Sequence, residues 1–390
     1  MKIVLAMDSF YPSIEGPVVV LHNFATIMNK TEDVHVFVPS QGKETDKEEA
    51  KKRNLKYPVY YVKSQYEPFS KYYSVTPFYD RGLSKHFKEL DVDIVHLHSP
   101  FFMAAQLIKK AKKRNIPTVL TFHTKFRDEF MRVTHSKIAT SFLMSAIMSN
   151  FKNADYVFTV SEGAKQCLID YGYKKEIKVI RNGTDLVCPT DILARREHID
   201  EKYNLKGQEN VFLFVGRMVI TKNLELVFKA LKIVKEKGVN FKFLVVGDGP
   251  DLHKFKDMAK ENNVMDQTIF AGSIADRDYL RSFYLRSDLF LFPSVFDTAS
   301  LVPIESATFS LPTLLVKDSP TSEIIIDNRN GYAEIEDSEA WANKIIAIIK
   351  NKDHHMKVRE MCHKEVYRTW DDVVKEMLDE YKRILAEWNK

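Results

Sequence analysis

The chain has 390 residues with 45% apolar content, which at roughly 150 residues per domain suggests two or three domains whose cores need no disulfide staples. Collagen-like, disordered and disulfide-framework classes are thereby excluded, and three cysteines (Cys167, Cys188, Cys362) fit a reducing compartment. Lys and Arg total 58 against 53 Asp and Glu, and the resulting charge of +5 is too mild to argue for nucleic acid. The first apolar run stops at Asp8, too early for a signal peptide, and no run approaches the ~18 apolar residues of a membrane span. The expectation is a cytoplasmic protein, with peripheral attachment to the inner face of the cell membrane allowed.

In chain order, short apolar runs rich in β-branched and aromatic residues predict strands at 2–7, 34–38, 59–62, 94–97, 118–122, 156–160 and 178–180. Amphipathic segments between them, such as 18–29 and 104–114, predict helices, and the alternation argues for a doubly wound parallel sheet. After a polar stretch the pattern restarts, with strands predicted at 211–215, 241–246, 268–270, 289–292 and 313–316. We therefore expect an α/β protein: an N-terminal domain over 1–188, a linker over 189–209 and a second domain over 210–370. A last helix over 371–390 presents Val373, Val374, Met377, Leu378, Tyr381 and Leu385 on one face and must dock.

In open parallel sheets ligands bind beyond the carboxyl ends of the strands, so the loops there are the candidates for chemistry. Asp8 is followed by Tyr11-Pro12 and by Gly16-Pro17 ahead of a helix; a glycine there admits a ligand to backbone amides, or simply serves a strand-to-helix turn. Gly247-Asp248-Gly249-Pro250 lacks a third glycine and reads as a tight turn rather than a nucleotide fingerprint. His123 ends a strand and can hydrogen-bond a substrate, whereas His96 and His98 read as structural. Gly216-Arg217 with Lys222 places two cations at one helix entrance, suited to a diphosphate or to solvent. The stretch from Pro293 to Ala307 carries Asp297 and Glu305, whose carboxylates can accept hydrogen bonds from hydroxyls, with the amides of Ser300 and Leu301 between them. Acids near a helix start are also favoured by the helix dipole alone.

Taken in order, these loops resemble the retaining glycosyltransferases of family four, of the bacterial nucleotide-sugar-dependent type. Tyr11-Pro12 with Gly16, Phe122-His123-Thr124, Ala154-Asp155-Tyr156-Val157 through Val160-Ser161, Ile180-Arg181-Asn182-Gly183-Thr184-Asp185, Gly216-Arg217 with Lys222, and Asp297 to Glu305 keep the family's sequence of motifs. The resemblance implies a GT-B fold of two facing Rossmann-like domains with a C-terminal crossover helix. It implies that Arg217 and Lys222 hold the donor diphosphate. Glu305 would bind the ribose, and Asp297 with the Ser300 and Leu301 amides the donor sugar. His123 would contact that sugar, and Gly16 would lie near phosphate or acceptor. The implied activity is metal-independent hexosyl transfer without a cofactor, the nucleotide-sugar being a co-substrate and a UDP-sugar such as UDP-glucose favoured. The departures are Pro17 where a second glycine is usual, Asp297 for Glu, Ala299-Ser300 for Phe-Gly, Ser310 for Gly and Asn223 for Gly; they bear on the donor sugar.

For the acceptor, the stretch 125–151 combines Lys125, Arg127, Arg132 and Lys137 with Phe126, Phe130, Met131, Phe142, Leu143, Met144, Ile147 and Met148, and Lys109 and Lys110 open a second basic run. Such a segment can lie on an anionic membrane, which points to a glycolipid or cell-surface polysaccharide acceptor; the alternative is an ordinary core face with solvated lysines. A catalytically silent nucleotide-sugar-binding subunit and a nucleotide-sugar epimerase are the competing functions.

Overall fold

The computed structural model describes residues 1–13, 15–67, 72–75, 81–297 and 299–388. Two compact units result: Met1–Asn182 with Trp370–Lys390, and Gly183–Thr369. The first contains β1 (Lys2–Ala6), β2 (Asp33–Pro39), β3 (Val59–Val62), β4 (Ser64–Glu67), β5 (Tyr72–Val75), β6 (Ile94–Leu97), β7 (Thr118–Phe122), β8 (Tyr156–Thr159) and β9 (Lys178–Val179). Seven of these form a sheet in the order β3-β2-β1-β6-β7-β8-β9 with every neighbouring pair parallel. The antiparallel hairpin β4-β5 stands apart from it and was not foreseen. Ile3, Val4, Leu5, Val119 and Leu120 are fully buried, as continuous apolar strands covered on both faces require.

The second unit repeats the design with β10 (Val211–Val215), β11 (Lys242–Val246), β12 (Thr268–Gly272), β13 (Leu289–Phe292), β14 (Thr313–Val316) and β15 (Tyr332–Glu334). Its six-stranded parallel sheet runs β12-β11-β10-β13-β14-β15. In both sheets the chain steps outward from the first strand on one side and then returns to the other. The order therefore reverses between β1 and β6 and between β10 and β13, and the loops leaving those strands flank the opening where such sheets bind ligands.

The domain boundary differs from expectation, since the first unit breaks at Asn182 rather than at 188, while the last helix docks on it as expected. Residues 189–209, read as a linker, contain the helix Ile192–Lys202, which is built into the second unit. Ile199 is fully buried, Arg195 donates to the Asp278 carbonyl at 2.9 Å, and Arg286 pairs with Asp200 and donates to the Gln208 carbonyl at 2.8 Å. The last helix, Trp370–Trp388, packs within the first unit against the helix Gly16–Met28, with Trp370 edge-on to Phe24 at 6.0 Å. Its buried stripe is Trp370, Val373, Val374, Met377, Tyr381 and Ile384; Leu378 and Leu385 are only half-buried, a small rotation from the predicted face. Among the described residues no helix is long and apolar enough to cross a membrane.

Candidate functional site

In the second unit the loop leaving β10 carries Gly216 and Arg217 and closes in a short turn, Ile220–Lys222, before the helix Leu224–Glu236. Its shape depends on the neighbouring Gly247, which has φ +142° and a Cβ position only 1.8 Å from the Gly216 carbonyl oxygen. The Gly247-Asp248-Gly249 turn is thus a backbone seat for the β10 loop, with the Met218 amide donating to the Asp248 carbonyl at 2.9 Å. Arg217 is exposed, and among the described residues its guanidinium has no partner. Lys222 is held inward: its Nζ donates to both carboxylate oxygens of Asp297 at 2.8 Å and lies 5.4 Å from the centre of the Phe292 ring.

The two departures from glycine have a backbone reading. Asn223 sits at φ +58° and ψ +32°, a left-handed position that asparagine tolerates better than most residues, and its amide donates to Glu336 Oε1 at 2.7 Å. Ser310, at φ +53°, occupies the left-handed region without that tolerance. Asp297, one methylene shorter than glutamate, is pinned by Lys222, and its backbone carbonyl accepts from Thr321 at 3.3 Å. The amides of Ser300 and Leu301 make no hydrogen bond among the described residues.

Glu305 lies in the helix Val302–Thr308 and is almost fully buried. Tyr284 donates to its Oε2 at 2.9 Å, and Arg277 Nη2 donates to its Oε1 at 2.9 Å while also pairing with Asp185. Burial works against the Arg277 charge, but the Glu305 and Asp185 carboxylates outweigh it and hold the pKa above its ordinary value. Arg277 and Tyr284 were not singled out from the sequence. A signal was present: seven residues apart, they share one face of the helix Arg277–Arg286.

In the first unit His123 is buried in a stack of three imidazoles. His98 Nδ1 lies 3.2 Å from His123 Nε2 with ring centres 5.4 Å apart, and His96 stacks on His98 at 4.3 Å. His96 bonds Thr121 at 2.6 Å and the Tyr381 hydroxyl of the last helix. Burial lowers all three: His96 and His123 to about 3, and His98 well below its usual value. His123 is therefore a neutral hydrogen-bonding group at pH 7. Beside it Asp8 accepts from Ser99 Oγ at 2.6 Å and from the Met103 amide at 2.9 Å, tying the end of β1 to the loop after β6; burial pushes its carboxyl up to about 6. Gly16 starts its helix ahead of Pro17, and a Cβ there would meet nothing within 4 Å. Among the described residues no neighbour excludes a side chain at Gly16.

The basic segment splits. His135, at φ +50°, ends the helix Phe126–Thr134, and Ser136 caps the next, Lys137–Asn153. Phe126, Met144, Ile147 and Met148 are core, whereas Ile138 is 85% and Phe142 74% exposed one turn apart. Of the cations, Lys110 donates to Ser84 at 2.6 Å, Arg132 pairs with Glu129 at 2.5 Å, and Arg127 stacks over Tyr171 at 4.6 Å. Lys109 is exposed and Lys125 half-buried.

Comparison with known proteins follows this division. Residues 14–187 match the model described as Glycosyltransferase Family 4, and residues 195–368 that described as Glycosyl transferases group 1. The chain is 24% identical over 366 residues to an alpha-monoglucosyldiacylglycerol synthase of Streptococcus pneumoniae, covering 91% of this chain and 80% of that one. A protein of the same description from Acholeplasma laidlawii is also 24% identical, covering 85% and 84%. Among solved structures, Anabaena Alr3699/HepE in complex with UDP superposes with a TM-score of 0.77 at 15% identity, covering 98% and 100%. The fold is GT-B.

Proposed function

The chain belongs to glycosyltransferase family 4, the retaining hexosyltransferases that draw on a nucleotide-sugar, and on that premise we propose that it moves a hexosyl unit from a UDP-sugar, UDP-glucose being favoured, to a glycolipid at an anionic membrane surface. The observation that carries the donor half is the convergence at the β10–β13 switch point of the exposed Arg217 and the Lys222–Asp297 pair, with the buried Glu305 on the helix that follows.

In this reading Arg217 chelates diphosphate oxygens and Lys222 adds a point charge. As the bond between the anomeric carbon and the phosphate oxygen breaks, both stabilise the negative charge that collects on the leaving nucleotide. The acceptor hydroxyl attacks from the same face and gives its proton to a phosphate oxygen of that leaving group. Asp297, with the Ser300 and Leu301 amides, orients the donor sugar, and Glu305 holds the ribose. His123, neutral at working pH, donates or accepts one hydrogen bond to the sugar. Gly16, which no neighbour among the described residues restricts, keeps room for phosphate or acceptor.

The acceptor half is supported by Ile138 and Phe142, exposed beside Lys137 on a helix flanked by Lys125, Arg127 and Arg132, with Lys109 and Lys110 on a second helix. Ile138 and Phe142 can thus enter a bilayer interface, and the exposed Lys109 and Lys137 can meet its phosphates. The two relatives named above are described as synthases of alpha-monoglucosyldiacylglycerol, a glycolipid.

The test is to incubate the full chain with UDP-, GDP- and ADP-sugars, with and without anionic vesicles carrying diacylglycerol, and to follow donor consumption and lipid product. Retained-configuration glycolipid is the expected outcome. Nucleotide binding without consumption would replace the reading with a silent subunit, and interconversion of the free nucleotide-sugar would replace it with an epimerase.

A further inference from the structure

We propose that Tyr284 and Arg277 are positioning residues that fix the Glu305 carboxylate for a vicinal diol, so that the nucleotide's affinity for this site is set by two side chains on the neighbouring helix. The inference rests on the reading of Glu305 as the ribose acid.

A carboxylate as buried as Glu305 needs hydrogen-bond donors on its oxygens. It has two, one on each oxygen: the Tyr284 hydroxyl on Oε2 and Arg277 Nη2 on Oε1, both at 2.9 Å. Each carboxylate oxygen can accept a second hydrogen bond, so this arrangement leaves one acceptor position per oxygen, a match for the two adjacent hydroxyls of a ribose. With both inner positions taken, the carboxylate plane cannot turn without breaking a charge-assisted bond.

The donors are themselves well fixed. Tyr284 is fully buried and stacked on Phe309, with ring centres 5.4 Å apart and planes 10° from parallel, and Phe290 packs 5.9 Å away. Burial and the adjacent Glu305 charge raise its phenol far above the usual range, so it remains a proton donor at any working pH. Arg277 stands two turns earlier on the same face, in a helix start capped by the Asp276 side chain, which accepts from the amides of Asp278 and Tyr279. Its second carboxylate, Asp185, ties the opening segment of the unit to the same guanidinium. Three separate stretches of the second unit are therefore joined through the Arg277 guanidinium.

The experiment measures binding of UDP and of 3′-deoxy-UDP (the base exchanged if the donor panel selects another) to the full chain and to Tyr284→Phe, Arg277→Met, Arg277→Lys and Glu305→Gln. Wild type should prefer UDP. Tyr284→Phe and Arg277→Met should each lower UDP affinity about tenfold, as expected for losing a bond to a charged group, and leave 3′-deoxy-UDP nearly unchanged. Arg277→Lys should restore part of the preference. In kinetics the loss should fall on KM for the donor rather than on kcat. A purely structural role would weaken both nucleotides alike and lower the melting temperature instead. Tyr284→Phe keeps the stacked ring and decides the matter if Arg277→Met does not fold. If Glu305→Gln abolishes the preference while Tyr284→Phe and Arg277→Met retain it, the positioning role is overturned and the ribose reading stands. If Glu305→Gln retains the preference, the ribose reading falls and the positioning role with it.

Discussion

The three buried imidazoles of the first unit make its stability depend on acid in a calculable way. His96, His98 and His123 are neutral in the folded state, with His96 and His123 held near pH 3 by burial and His98 shifted the same way. In the unfolded chain each titrates near the ordinary histidine value, so below about pH 6.5 the unfolded state binds more protons and stability falls. Between pH 7.5 and 5.5 the linkage gives slightly more than ~1 kcal/mol per histidine, about 4 kcal/mol for the three. Asp8 works in the opposite direction. Its carboxyl, raised to about 6 in the folded state, takes up a proton there before the unfolded chain does, returning about 1 kcal/mol over the same interval. The net expected loss, about 3 kcal/mol, is a large share of an ordinary domain's stability. Urea unfolding of the full chain at the two pH values, followed by fluorescence, should show the midpoint fall. Hydrogen exchange should place the loss in β6 and β7, and His355, lowered to about 4, adds a smaller loss of the same sign in the second unit. Histidine side-chain NMR supplies the direct check. A titration of any of the three stacked imidazoles near pH 6.5 in the folded protein, or a midpoint that does not move, would refute the argument.

Three further outcomes follow from named contacts. Arg217→Ala and Lys222→Ala should each reduce kcat/KM by 10²–10³-fold, of the order seen when one preorganised charge-stabilising donor is removed, and steady-state kinetics with unchanged melting would confirm it. Ser310→Gly relieves a left-handed backbone at a non-glycine residue and should stabilise the second unit by about 1 kcal/mol, read as a melting shift of about 2–4 °C; a lower melting temperature would contradict the strain. Ile138→Glu with Phe142→Glu should abolish flotation with anionic vesicles while leaving melting and donor hydrolysis intact, because both side chains are exposed; binding that persists would remove this helix from the acceptor surface.

Much of the site was legible because its chemistry lies in short, contiguous loops. A strand ending in Gly216-Arg217, with Lys222 before a helix, marks a candidate anion site through residue type and spacing alone. Contacts between distant segments were not legible. The pairing of Lys222 with Asp297, 75 residues away, follows from β10 and β13 being neighbours in the sheet, and strand order is not written in periodicity. The membrane stripe was over-read for the same reason. Phe126, Met144, Ile147 and Met148 have the composition of an interface but face the core, and only the packing separates them from Ile138 and Phe142.

The sequence by itself determined the α/β class, most strands to within a residue or two and the order of the motif loops, since each depends on local period and turn chemistry. It also located the glycines that shape those loops. The tertiary structure decided what each group touches. It made His123 a neutral member of a stack, placed Glu305 between Tyr284 and Arg277, and drew 189–209 into the second unit. The physical reason is that burial, charge compensation and hydrogen-bond partnership arise between residues far apart in the chain, and come into being only when the sheets order their strands.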